Sequence, residues 1–248
     1  MNKQLMATLV LGLSVSTGAN AALIARDGGM VYDDVNNITW AADASLFQTQ
    51  AASNPNLVSE IIAANGGVIH DTPNLYSPGT RTLLDSELLD SDFHTNGWYS
   101  GLMTWWGAQA WVNNLTLGGV TGWTLPTTAD AANPNTQGFN ITTSQMGDLF
   151  YNQLGGVAGS FITATHNANY NLFTNVNLWG YWSSESAMGA WYFNTYDGDQ
   201  VSGYKLNLFN AWAVHAGDVA AVPLPGAVWL FLSGLIGFMG LKRRANFR

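Results

Sequence analysis

The chain of 248 residues contains no cysteine. Thiolate metal sites, iron–sulfur clusters and thiol nucleophiles are thereby excluded. Without disulfides, the fold must be held by core burial or by bound ligands. Charge is also scarce, with Asp, Glu, Lys and Arg at 10% of the residues. Only eight residues are basic, and five of these lie at the two ends: Lys3, then Lys242, Arg243, Arg244 and Arg248. Between the ends, Arg26, Arg81 and Lys205 stand against sixteen acidic residues, a net charge of −13. Such a surface repels nucleic acid and sulfated polysaccharide and offers carboxylates to divalent cations. The nucleophile elbow G-x-S-x-G, the zinc signature H-E-x-x-H and phosphate-binding glycine loops are missing too, so the sequence reads as non-enzymatic.

What is present begins with the two ends. Residues 1–21 have the layout of a signal peptide: Lys3, an apolar run from Leu5 to Val15, and the small-residue cleavage pattern Ala19-Asn20-Ala21. At the other end Gly226 to Leu241 is an apolar run of sixteen residues. That is near the short limit for a transmembrane helix, which usually takes about 20. Pro223 and Pro225 interrupt any helix entering it, and Lys242, Arg243 and Arg244 form a membrane stop that leaves the body outside.

Val222-Pro223-Leu224-Pro225, one apolar segment and an arginine-rich stub together resemble the PEP-CTERM sorting signals of the VPLPA type over residues 222–248. Gly226 stands where that type usually has alanine, and four residues trail the basic cluster. The resemblance implies an exported protein of a Gram-negative bacterium. Such a protein is held transiently in the inner membrane with its body in the periplasm. An exosortase then processes it for the cell surface or an exopolysaccharide-rich biofilm matrix.

The body, residues 22–221, reads as one α+β domain. Met30-Val31-Tyr32 and Ile38-Thr39-Trp40 form a β-hairpin around an Asp/Asn-rich turn. Residues 48–97 read as an insertion in which Asn56 caps a short helix, Leu57 to Ala64. Two main helices follow, one capped by Thr104 and one starting at Thr142 with Gln145 in a capping box. The second carries the apolar stripe Met146, Leu149, Phe150 and Leu154. From Leu178 onward, "LWGYWSS", "AWYFNTY", "QVSGYKLNL" and "AWAVH" make up a C-terminal antiparallel sheet, with a turn at Asp197-Gly198.

In order, "VYDDVNNITW", "MTWWGAQAWVNNLTLGGVTGWTLPT", "GDLFYNQLGG", "YWSSE" and "AWAVHAGD" resemble the Lcl C-terminal-like domain, which is grouped with C-type-lectin-like folds. The resemblance spans most of residues 29–218 outside the insertion. Thr124 and His215-Ala216 depart from the family's Trp-Arg-Leu-Pro and Val-Arg-Pro. The loss of both arginines removes contacts that would anchor the last strand or hold an anion.

Four sets of residues are chemically suggestive. Trp179, Tyr181 and Trp182 sit beside the Asn-rich "HNANYNLFTNVN". Strand alternation puts Trp179 and Tyr181 on one face; these rings either pack in the core or stack on a sugar. Asp197-Gly198-Asp199 is either a hairpin turn or part of a calcium loop, and calcium is the one cofactor the sequence suggests. Asp85, Glu87, Asp90 and Asp92 form either a solvated acidic face or the carboxylates of a glycan hydrolase. His70, His94, His166 and His215 lack metal-ligand spacing. The lectin tripeptides Glu-Pro-Asn and Gln-Pro-Asp are absent. Taken together, the sequence anticipates a surface or matrix protein that binds a neutral glycan or a protein partner, with a matrix-active glycan hydrolase as the alternative.

Overall fold

The computed structural model describes residues 23–70, 85–128, 137–186 and 189–219. The signal peptide with Ala19 and Ala21, the sorting motif Val222–Pro225, the 226–241 segment and the basic cluster all lie outside these residues. Among the described residues no helix is long and apolar enough to cross a membrane.

Mixed helix and antiparallel sheet make the fold α+β. The N-terminal sheet contains β1 (Leu23–Arg26), β2 (Met30–Asp33) and β3 (Ile38–Ala41). As anticipated, β2 and β3 pair antiparallel across the Asp/Asn turn, with Val31 opposite Trp40. Helix α1 (Leu46–Ser53) follows, then α2 (Leu57–Ala64) and a two-stranded hairpin of β4 (Val68–Ile69) and β5 (Ser86–Glu87). Helix α2 occupies the expected residues, although Asn56 makes no side-chain cap bond. Its backbone is held instead by Glu60 N donating to Asn56 O at 3.0 Å.

Helix α3 (Trp105–Asn114) begins where its sequence says it should, because the Thr104 hydroxyl accepts from Gly107 N. The second main helix is capped two residues later than expected. Ser144, not Thr142, accepts from Gly147 N at 3.0 Å, and the Gln145 carboxamide instead accepts from Thr127 N at 2.7 Å. This helix opens with α4 (Gln145–Asp148) and runs on as a π-helical turn over Leu149–Gln153. The expected stripe of Met146, Leu149, Phe150 and Leu154 is buried. A short helix α5 (Ile162–Thr165) precedes β6 (Gly180–Ser186), β7 (Gly189–Asn194) and β8 (Gln200–Gly203), which form an antiparallel three-stranded sheet.

The last strand corrects the sequence reading. β9 (Val214–Ala216), from "AWAVH", does not join this C-terminal sheet. It pairs antiparallel with β3, Trp40 opposite Val214, giving the order β1-β2-β3-β9. Backbone bonds to the Thr124 segment anchor this strand on its other side. Thr124 N donates to Val214 O at 2.8 Å, and Val214 N returns a bond to Thr124 O at 2.9 Å.

Trp212 joins the two sheets. Its ring meets Trp40 edge-on at 5.4 Å, Tyr181 at 5.3 Å and Phe173 at 5.0 Å. Its indole N–H donates to Ala41 O at 2.8 Å, which satisfies the polar end of a buried ring. Trp40, Trp106, Trp111, Trp191 and Trp212 are all core, as their periodic placement implies. Ile61, Ile69, Leu88 and Phe93 of the 48–97 stretch enter the same cluster.

Candidate functional site

Most of the rings singled out in the sequence are spent on packing. Tyr181 and Trp182 are fully buried. Tyr181 OH accepts from Asn177 N at 2.7 Å, and Trp182 Nε1 donates to Met103 O at 2.8 Å. Burial also pushes the Tyr181 hydroxyl well above its ordinary pKa. Neither ring can stack on a ligand. Trp179, in contrast, is 54% exposed. Alternation failed here because Trp179 lies on a bend before the strand, and the pleat begins only at Gly180. Its carbonyl is held by the Thr195 hydroxyl at 3.2 Å.

Trp179 shares a groove of about 450 Å³ with Trp98, Tyr99, Ser100, Leu102 and Asn177. Trp98 is 96% exposed and Tyr99 55%. They sit on a 3₁₀ turn, Gly97–Tyr99, that projects from a loop closed at its base by the Phe93–Met103 bridge. Gly97 takes φ +67°, a left-handed conformation that starts the turn without a Cβ penalty. Within the loop, His94 N donates to Leu102 O at 2.9 Å and Gly101 N to His94 O at 2.7 Å. The His94 ring lies 5.9 Å from Tyr99 and supports it edge-on. Asn177 also lines the groove, and its side-chain amide donates to Asn210 Oδ1 at 3.4 Å. Three exposed aromatic rings and a side-chain amide on backbone-tied supports can bind a ring that offers both an apolar face and hydroxyls.

Sequence reasoning did not find Trp98 and Tyr99. They follow directly on the stretch read as an insertion, residues 48–97, and belong to no periodic segment. The usable signal was the pair of adjacent large aromatics in a short Gly-bounded turn, where a core cannot be built. A larger cavity of about 720 Å³ lies among Asn65, His70, Gln109, Asn113, Thr124 and Trp105. Its one indole is buried, with Nε1 donating to Ser183 O at 2.9 Å and the Lys205 ammonium 4.2 Å from its ring. It therefore offers no stacking platform.

Several of the acidic candidates make structural contacts. Asp197 Oδ1 accepts from Asp199 N at 3.1 Å, closing a turn at Gly198. Tyr151 OH donates to Gly198 O at 2.7 Å and clamps the same turn. Among the described residues no three of His, Asp and Glu gather around a point. The Asp199 carboxyl is pushed up by burial and secondarily by the Asp197 charge. In the 85–92 segment, Asp92 is buried and engaged with Thr104 and Leu89, while Asp85 meets His70 at 3.0 Å on the surface. Asp92 is therefore committed to packing rather than to a hydrolytic pair. His166 stacks on Tyr170 at 4.3 Å and His215 meets Trp123 edge-on at 5.7 Å.

Compared with family models, curated proteins and solved structures, the chain finds no match.

Proposed function

We propose that this chain is an exported, non-enzymatic protein of the cell surface or extracellular matrix, whose body binds a neutral glycan in the Trp98–Tyr99–Trp179 groove. One observation carries the binding half of this reading: three large aromatics are exposed around one groove in a domain that buries nearly all its other tryptophans. Leaving such rings in water forfeits the 1.5–3 kcal/mol (roughly) that burying a large apolar side chain gives, so their position suits contact with a ligand. The net charge of −13 on the body favours a neutral ligand over an anionic one.

The sorting half rests on the two ends. The VPLPA-type tail supports exosortase processing after transient anchoring in the inner membrane, and the likeness to the Lcl C-terminal-like domain supports a C-type-lectin-like body.

Screening the full-length chain on an array of neutral and acidic glycans tests the binding claim. Retention of neutral glycans, lost in a Trp98→Ala/Trp179→Ala double variant, is the expected result. Retention that survives the double variant would move the site elsewhere, and binding only to proteins would replace the glycan reading. For topology, a reporter fused after Arg248 should be active in the cytoplasm; activity only in the periplasm would overturn the orientation.

A further inference from the structure

The chain contains two Asn-Gly pairs, Asn65-Gly66 and Asn96-Gly97. Such a pair can modify itself, because the glycine has no side chain to shield its nitrogen from the asparagine carboxamide. Both glycines take the same left-handed backbone, φ +67°. The two sites differ in what holds them.

Asn65 is tied down at the reacting atoms. Its Nδ2 donates to Ile61 O at 2.8 Å and to Ala110 O at 3.2 Å. The nitrogen that would attack, Gly66 N, donates to Ala63 O at 3.0 Å. The residue closes the end of α2 and is half-buried. Bringing its side-chain carbon to the ~3–3.5 Å from the nitrogen that attack requires would break these bonds.

Asn96 has none of these restraints. It and Gly97 are both exposed, and its side chain makes no cap bond to the turn it precedes. Among the described residues neither its carboxamide nor Gly97 N has a hydrogen-bond partner. A Cβ built on Gly97 would meet nothing within 4 Å, so the two groups can swing together without displacing a neighbour.

The chemistry needs only water. Gly97 N attacks Asn96 Cγ, and a C–N bond forms as the Cγ–Nδ2 bond breaks. Nδ2 departs as ammonia, carrying the proton lost by the amide nitrogen, and a five-membered succinimide remains. Water then opens the ring at one of its two carbonyls. Opening at Cγ gives aspartate, and opening at the main-chain carbonyl gives isoaspartate. Nothing is oxidised or reduced.

The loop translates this small change into a movement of its tip. Below the tip the chain is pinned by the Phe93–Met103 bridge, the His94–Leu102 bond and Ser100 Oγ donating to Thr95 O at 3.1 Å. Isoaspartate adds a methylene to the main chain between fixed ends, so the displacement falls on the tip, which carries Trp98 and Tyr99. Either product also places a carboxylate beside a groove whose lining side chains carry no charge.

We propose that Asn96 is a self-modifying site, at which the folded protein converts its own asparagine to isoaspartate and aspartate, and that the conversion disables the Trp98–Tyr99 wall of the groove. The second half rests on the glycan reading.

The test ages the full-length chain in mildly alkaline buffer and maps its peptides by mass spectrometry, with isoaspartate read by enzymatic methylation. Loss of Asn96 should be first order, independent of protein concentration, and at least about tenfold faster than loss of Asn65. In denaturing urea the two rates should converge, because the fold no longer protects Asn65. Asn96→Gln, whose longer side chain cannot close the five-membered ring, should show no conversion at that position. An Asn96 that stays intact in the aged folded chain overturns the proposal, as do equal rates at Asn96 and Asn65 in that chain. In the binding arm, aged wild type should hold a neutral oligosaccharide about tenfold more weakly than fresh protein, while Asn96→Gln binds equally before and after ageing. A converted chain that binds as tightly as the fresh one overturns the second half. A fresh chain that binds no neutral glycan overturns the glycan reading and the second half with it, and the peptide map then decides the first half alone.

Discussion

Asp92 and Thr104 grip each other through both side chain and backbone. Thr104 Oγ1 donates to Asp92 Oδ1 at 2.8 Å, and Thr104 N donates to Asp92 O at 3.0 Å. The same threonine hydroxyl caps α3 by accepting from Gly107 N at 3.2 Å. The end of the 48–97 stretch is therefore part of the device that starts the main helix. Asp92→Ala would strand the threonine hydroxyl and the Leu89 N–H, and should cost about 2–4 kcal/mol. Urea denaturation would measure it; a cost within about 0.5 kcal/mol, typical of surface changes, would show that the stretch is dispensable.

The groove predicts the opposite kind of variant. Trp98 is 96% exposed, so Trp98→Ala should alter stability by no more than about 0.5 kcal/mol. Its loss, or that of Trp179, should weaken binding of a neutral oligosaccharide about tenfold, equivalent to about 1.4 kcal/mol of stacking. Calorimetric titration beside a melting curve separates the two effects.

The Asp199 carboxyl gives a pH dependence with a defined sign. Its folded pKa is raised by burial and by Asp197, so the folded state binds this proton more tightly than the unfolded chain does. Its contribution to stability therefore falls as pH rises from the ordinary carboxylate value through the raised one, and stays unfavourable above that window. Asp199→Asn should be more stable than wild type at neutral pH, with the difference closing in strong acid where both forms are neutral. A wild type that loses more stability than the variant on going from acid to neutral pH is the signature to look for in paired denaturation curves.

Gly147 is hemmed in by backbone. A Cβ placed there would lie 1.9 Å from Ile141 O, so Gly147→Ala must displace the loop before α4. The expected cost is about 1–3 kcal/mol or more. It is measurable by thermal denaturation, and a neutral result would show that the 137–144 loop moves freely.

Legibility in the sequence followed distance along the chain. The Thr104 cap and the β2–β3 hairpin could be read because their partners lie within a few residues. At the second helix, Thr142 and Ser144 both offered a hydroxyl, and the choice was settled by Thr127, which takes the Gln145 side chain from another part of the chain. β9 was recognisable as a strand, but apolar alternation says nothing about which neighbour it pairs with. Trp179 and Tyr181 looked equivalent until a bend separated them. The hydrogen-bonded cluster in which Gln153 Nε2 donates to both Asp33 and Asp148 left no motif at all, because its halves come from distant segments and its spacing depends on a π-helical turn that residue periodicity does not encode.

The pairing of β9 with β3 sets a clock. Thr39 and Gly217 are 178 residues apart in sequence, yet the hydroxyl of one donates to the carbonyl of the other at 2.7 Å. At ordinary synthesis rates β3 therefore waits on the order of ten seconds or more for its partner. Through that interval the first sheet has a bare edge and Trp40 lacks the ring it packs against. An edge in that state is what chaperones bind and what neighbouring chains pair with. Any nonsense change before Val214 makes the interval permanent, so truncated forms should be found in aggregates rather than as smaller folded proteins.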